Sequence, residues 1–214
     1  NPALQRLSVK KMSKKKIREE LENHYKSLEV FLQGVAQDKW HLIVNGPAGS
    51  GKTEITKEVL EHHPNVLKVS GTLSAVRLYV FMHRMRKKGN VLIIDDTDKV
   101  LEDIECLEVL KAGLGSDGHI DWSKYSRALK DENCPKQFNY EGRIVIITNK
   151  SFKTQTDGNQ NMTRMQEAQL PLLSRCQYFR AGLPNAEWSI EALKYFQKQE
   201  KILCFKDENG LEMT

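Results

Sequence analysis

The chain has 214 residues, 39% of them hydrophobic and 29% charged, and carries a net charge of +5. This supports one sizeable buried core with at most a small appendage, and no run approaches the ~18 consecutive apolar residues that a membrane helix needs. The first residues, Asn1-Pro2-Ala3-Leu4, lack the apolar segment and cleavage site of a secretory signal. Cys106, Cys134, Cys176 and Cys204 form no C-x-x-C pair and have no histidine at zinc spacing. The expectation is a cytoplasmic protein with reduced thiols and no membrane partner.

Lys10, Lys11, Lys14, Lys15 and Lys16 crowd near the start. They suit either a solvated basic arm or a salt-dependent contact to a phosphate backbone. Residues 14–37 read as a helix: Ser13 can cap it, and Ile17, Leu21, Tyr25, Leu28, Leu32 and Val35 recur at three- and four-residue spacing. Residues 1–35 are therefore set apart as a basic N-terminal helical segment.

A strand is expected over 40–45, then a glycine-rich turn and a helix from Lys52 to about His62, stopped by Pro64. Residues 66–70 read as a short strand and 74–88 as a helix ending at Gly89. Val91-Leu92-Ile93-Ile94 is continuously apolar, as a strand buried on both faces would be. A helix over 102–114 follows, then a polar stretch over 115–142 in which Asp117-Gly118-His119 can turn a hairpin. Ile144-Val145-Ile146-Ile147 is a second continuous run. Residues 151–164 read as a loop, 165–174 as a short helix, 176–181 as a last strand and 186–199 as a helix. Strands alternating with helices predict an α/β fold with a parallel sheet covered on both faces. Ligands in such folds sit at the carboxyl ends of the strands.

Gly46-Pro47-Ala48-Gly49-Ser50-Gly51-Lys52-Thr53 matches G-x-x-x-x-G-K-[ST] in full, between a strand and a helix. The glycines let the backbone turn so that N–H groups face phosphate oxygens. The helix start adds its positive dipole end. Lys52 can reach the β- and γ-phosphates of ATP, and the Thr53 hydroxyl can ligate Mg²⁺. Hydrolysis also needs a metal-side carboxylate and a group that polarises water. Asp95 and Asp96, directly after an aliphatic strand, offer these two roles, although an aspartate pair also suits a plain strand end. Asn149, after the next aliphatic strand, can bond both water and phosphate through its amide; Asn-Lys in that place also suits a turn.

In order and approximate spacing, these elements and the segment Leu172-Leu173-Ser174-Arg175-Cys176 resemble the AAA+ family of ring-forming ATPases over residues 36–183. The resemblance identifies the loop as Walker A, Asp95-Asp96 as Walker B, Asn149 as sensor 1 and Arg175 as an arginine finger reaching a neighbouring subunit. It implies a three-layer αβα sandwich with a parallel P-loop sheet, Mg-ATP, and self-association into a ring, often a hexamer. The Asp-Asp pair, where most members have Asp-Glu, looks more like replication initiators, helicase loaders and some viral helicases. DNA, single- or double-stranded, and a helicase or other protein client are the partners this implies, with the host cytoplasm as location if the chain is phage-encoded. Residues 115–142 resemble the DNA-contacting hairpins of superfamily III helicases and insertions of ATPases seen in phages and mobile elements, with Lys124, Arg127 and Lys130 toward a pore; an ordinary surface insertion would also fit this stretch. Two other functions stay open: a protein-remodelling or assembly ATPase, of a phage for example, in which Trp122 or Tyr125 would grip a polypeptide, and a nucleotide switch that does not hydrolyse. Residues 184–214 would begin the family's helical lid, which is incomplete or lost.

Overall fold

Alternate residues of a strand face opposite sides of its sheet, so a strand apolar at every position asks for cover on both faces. In the computed structural model, which describes residues 13–124, 126–150, 152, 163–182, 190–192 and 194, both aliphatic runs receive that cover. The strands are β1 (His41–Asn45), β2 (Val66–Ser70), β3 (Val91–Asp95), β4 (His119–Asp121), β5 (Gln137–Asn139), β6 (Arg143–Thr148) and β7 (Cys176–Arg180). Five of them form one parallel sheet in the order β2-β3-β6-β1-β7. The helices are α1 (Lys14–Ala36), α2 (Lys52–Leu60), α3 (Ala75–Arg84), α4 (Ile104–Gly113), α5 (Arg127–Asp131) and α6 (Arg164–Leu173).

Leu42, Val44, Val91, Ile93, Val145 and Ile147 point to the α1 and α2 side; Ile43, Leu92, Ile94, Ile144 and Ile146 point to the side holding α3, α4 and α6. The result is an α/β three-layer sandwich. Ser13 caps α1 by accepting from the Lys16 N–H, and the stripe from Ile17 to Val35 is buried against the sheet. The N-terminal helix is thus packed on the same core as the strands, with Lys14, Lys15 and Lys16 exposed at its start.

Several local expectations are corrected. The helix expected over 74–88 ends at Arg84, because the Arg86 side chain bonds the His83 carbonyl and the Arg86 carbonyl is taken by the Glu141 N–H at 2.7 Å. The region before α4 is a 3-10 turn over Asp98–Leu101, and Asp103 caps α4 with two backbone N–H bonds. Asp117-Gly118-His119 is not a hairpin turn. β4 and β5 do pair antiparallel, but they are joined by residues 122–136, which carry α5. Trp122 is buried against Tyr79, so its side chain fills the core and does not face a pore. Tyr125 lies outside the described residues, as does most of 184–214, including the expected lid. Within that span residues 190–192 and 194 are helical, and buried Glu191 pairs with Arg18 of α1 at 2.8 Å.

β1 and β6 must stay in register for the loop after β1 to meet the end of β6. His41, at the start of β1, accepts the Ile144 N–H through Nδ1 at 3.2 Å. An imidazole that accepts there is neutral, and burial together with the Arg143 charge lowers its pKa to about 4. In the unfolded chain the ring takes its proton near the ordinary value of ~6.5. Between these two values the unfolded state binds more protons, so this contribution is complete above about pH 6.5 and is lost as pH falls toward 4. Urea unfolding at pH 7 and pH 4.5 should show wild type losing about 2 kcal/mol more than His41→Gln. Equal losses would contradict the assignment.

Candidate functional site

The turn between β1 and α2 is shaped by its glycines. Gly49 and Gly51 have φ of 75° and 78°, in the left-handed region that side chains resist. Gly51 is also the residue before the first turn of α2, whose leading N–H groups have no partners inside the helix. Gly46 is glycine for a different reason: a Cβ there would lie 2.5 Å from the Ala181 carbonyl oxygen at the end of β7.

Lys52 opens α2 and is only 6% exposed. Its ammonium donates to the Gly46 and Pro47 carbonyls, both at 2.7 Å, to Ser50 Oγ at 3.3 Å and to Asn149 Oδ1 at 3.1 Å. Burial lowers its pKa from the usual lysine value, and the charges of Asp95, Asp96 and Asp98 oppose that shift. Thr53 Oγ1 donates to the Asp95 carboxylate, 3.1 Å from Oδ2 and 3.3 Å from Oδ1. Asp95 is 1% exposed and also pairs with Lys68 of β2, whose Nζ is 2.7 Å from Oδ2.

Asp96 is exposed and has φ of 51°, a left-handed conformation that aspartate tolerates better than most residues. It lines an open cavity of about 360 Å³ with Gly49, Lys52, Thr53 and Asn149. The backbone around Asn149 is fixed from three sides. Thr148 Oγ1 donates to Asp98 at 2.6 Å and accepts the Lys150 N–H at 3.0 Å, while the Asn45 amide donates to the Lys150 carbonyl. Five candidate residues, Lys52, Thr53, Asp95, Asp96 and Asn149, therefore converge although they come from three separate strand ends. Arg175 does not join them: it sits exposed in the turn after α6, where its guanidinium donates to the Pro171 carbonyl at 2.6 Å.

Sequence reading missed Lys68, Asn45 and the Thr148–Asp98 pair. The available signal was polarity out of place: Lys68 interrupts Val66-Leu67-Lys68-Val69, and Asn45 and Thr148 end aliphatic strands.

The oxygen donors suit Mg²⁺, a hard cation that takes one or two protein ligands beside phosphates. A hydroxyl and a buried carboxylate already in contact supply such a pair, and the Lys68 ammonium shows that a cation can sit against Asp95. Among the described residues no group of three or more His, Cys, Asp or Glu could hold a metal by itself. No described helix is long and apolar enough to cross a membrane. Cys106 and Cys134 are buried free thiols, and Cys176 is a partly buried one.

No family model matches the chain. It is 30% identical over 153 residues to an uncharacterized 36.7 kDa protein from the nrdC-mobD intergenic region of Enterobacteria phage T4. The match covers 68% of this chain and 46% of the phage protein, so the chain spans less than half the length of that curated relative. Among solved structures, two single-substitution mutants of Thermotoga maritima RuvB are similar. One gives 19% identity and a TM-score of 0.47, over 75% of this chain and 45% of that one. The other gives 18% and 0.45 over 85% and 51%. NtrX from Brucella abortus in complex with ADP gives 15% and 0.49 over 84% and 40%. Likenesses of this size do not bear on activity.

The two kinds of glycine should respond differently to a methyl group. Gly49→Ala has open space around it and should cost about 1 kcal/mol, from the backbone conformation alone. Gly46→Ala should cost more, about 1–3 kcal/mol beyond a conformational effect, because Gly46 and Ala181 must separate. Denaturant unfolding of the ligand-free variants measures both, and equal costs would refute the close approach of β7 to the loop.

Proposed function

We propose that this chain binds ATP with Mg²⁺ at residues 46–53 and hydrolyses it, as an AAA+ type P-loop ATPase. The observation that carries the reading is the convergence of Lys52 and Thr53 from the start of α2, Asp95 from the end of β3 and Asn149 from just after β6, with Lys52 3.1 Å from Asn149 and Thr53 3.1 Å from Asp95. A phosphate cradle alone would need neither of the two later strand ends.

In this reading the loop and the start of α2 turn N–H donors toward the phosphates, and Lys52 brings an ammonium beside them. Thr53 and Asp95 would hold Mg²⁺, which supplies positive charge against the phosphate oxygens. Asp96 would accept a proton from, or polarise, the attacking water. Asn149 would orient that water or a phosphate oxygen, since its amide both donates and accepts. Arg175, exposed and remote from the cavity within one chain, would act on a neighbouring subunit, which makes self-association part of the proposal.

The substrate proposed for the motor is DNA, in replication or DNA processing. Lys124, Arg127, Lys130 and Lys136 are exposed on and around α5, and Lys14 to Lys16 are exposed at the start of α1. Lys124 pairs with Glu105 and Arg127 with Asp131, so part of this charge is already matched. Of the two rings that could grip a protein client, Trp122 is buried and cannot do so, and Tyr125 lies outside the described residues. The similarity to a phage T4 protein is in keeping with a phage or mobile-element ATPase.

Lys52→Ala should abolish binding of a fluorescent ATP analogue while the protein stays folded. Arg175→Ala should leave binding near wild type and lower turnover by roughly 10³-fold or more, the range of an arginine finger. Mixing Arg175→Ala with Asp96→Ala should restore part of the activity, and no recovery in assembled mixtures would exclude a trans role. ATP hydrolysis measured with and without single-stranded DNA at two salt concentrations tests the substrate. Salt-sensitive stimulation is expected, and its absence together with no DNA binding would remove the DNA role.

A further inference from the structure

Asp95 has a second cationic neighbour that the proposed reaction does not use. Lys68 lies opposite Ile93 in the parallel pairing of β2 with β3. Ile93 and Asp95 are two residues apart and face the same side of the sheet, which brings Lys68 Nζ within 2.7 Å of Asp95 Oδ2. Asp95 is buried, whereas the Lys68 side chain is 48% exposed. Lys52 is engaged elsewhere, with Gly46, Pro47, Ser50 and Asn149. Thr53 gives Asp95 one hydroxyl hydrogen, which cannot balance a full negative charge.

We propose that the Lys68 ammonium is a resident cation at Asp95. It neutralises the buried carboxylate in the ligand-free protein and competes with Mg²⁺ for it, so it sets the Mg²⁺ concentration at which the site loads. The inference rests on the Mg-nucleotide reading above. A carboxylate buried without a partner is costly, so Asp95 needs a counter-ion whenever no metal ion is bound to it. A lysine suits the task better than an arginine, being a flexible point charge without a fixed two-pronged geometry. Its half-exposed side chain has somewhere to go: the cavity beside it, about 190 Å³, is open to solvent and is lined by the charged Lys57 and Glu61 as well as by Leu60, Val66 and Ile93. When a divalent ion shares Asp95, repulsion between the two cations favours withdrawal of the ammonium into that space.

The test compares wild type with Lys68→Met, Lys68→Arg and Lys57→Met. Lys57 is an exposed lysine lining the same cavity from α2. With a fluorescent ATP analogue held constant, the Mg²⁺ midpoint for binding should fall roughly three- to tenfold in Lys68→Met, the partly screened effect of removing one nearby charge. It should stay near wild type in Lys57→Met, and in Lys68→Arg it should not fall but rise, because a guanidinium keeps the charge and can hold Asp95 by two bonds. In EDTA without nucleotide, Lys68→Met should lower the melting temperature, and the drop should largely vanish when Asp95→Asn is already present. An unmoved midpoint in Lys68→Met, an equal shift in Lys57→Met, or additive melting shifts would overturn the proposal while leaving the nucleotide reading intact. A wild-type protein with no Mg²⁺-dependent binding at all would remove the nucleotide reading, and the competition with it.

Discussion

The ammonium of Lys52 is the contact on which the site is built. It is held by the carbonyls of Gly46 and Pro47 within its own loop and by the amide oxygen of Asn149 from another strand. One charged group thus closes the turn after β1 and ties it to the end of β6. The tie is possible only because β6 lies next to β1 in the sheet, inserted between β1 and β3. A parallel sheet brings all its carboxyl ends to one edge, and this strand order brings Asn149 to the loop.

Around that contact the polar groups are paired in a definite order of burial. Asp95 is enclosed and receives Thr53 and Lys68, while Asp96, the next residue, is exposed in a left-handed backbone conformation. A strained turn at the end of a buried strand separates two carboxylates into two environments. That separation is what different roles for Asp95 and Asp96 require. The apolar residues of β3 and β6, covered on both faces, give these strand ends a rigid base.

Much of this was legible from residues alone. The aliphatic runs at 91–94 and 144–147 announced doubly covered strands because no half-exposed strand is apolar at every position. The glycine loop was legible because its chemistry demands particular residue types at fixed spacing. What stayed hidden depended on contacts between distant segments. The Asp117-Gly118 pair carries a local turn signal, but β4 and β5 are paired through Ile120 and Phe138, whose side chains enter the core beside Tyr79. The early end of α3 follows from a bond to Glu141, far along the chain. Lys68 became meaningful only once β2 was known to lie beside β3. Trp122 could have been a surface aromatic by composition, and its burial against Tyr79 is a tertiary fact.

The fold and the loop geometry stand without any ligand, but their purpose in this account is to hold a triphosphate through backbone N–H groups and one lysine. Isothermal calorimetry of the folded chain titrated with Mg-ATP asks that question directly. Saturable heat with one nucleotide bound per chain is the expected result. A protein that is folded by circular dichroism yet shows neither heat nor saturation would contradict the account at its base.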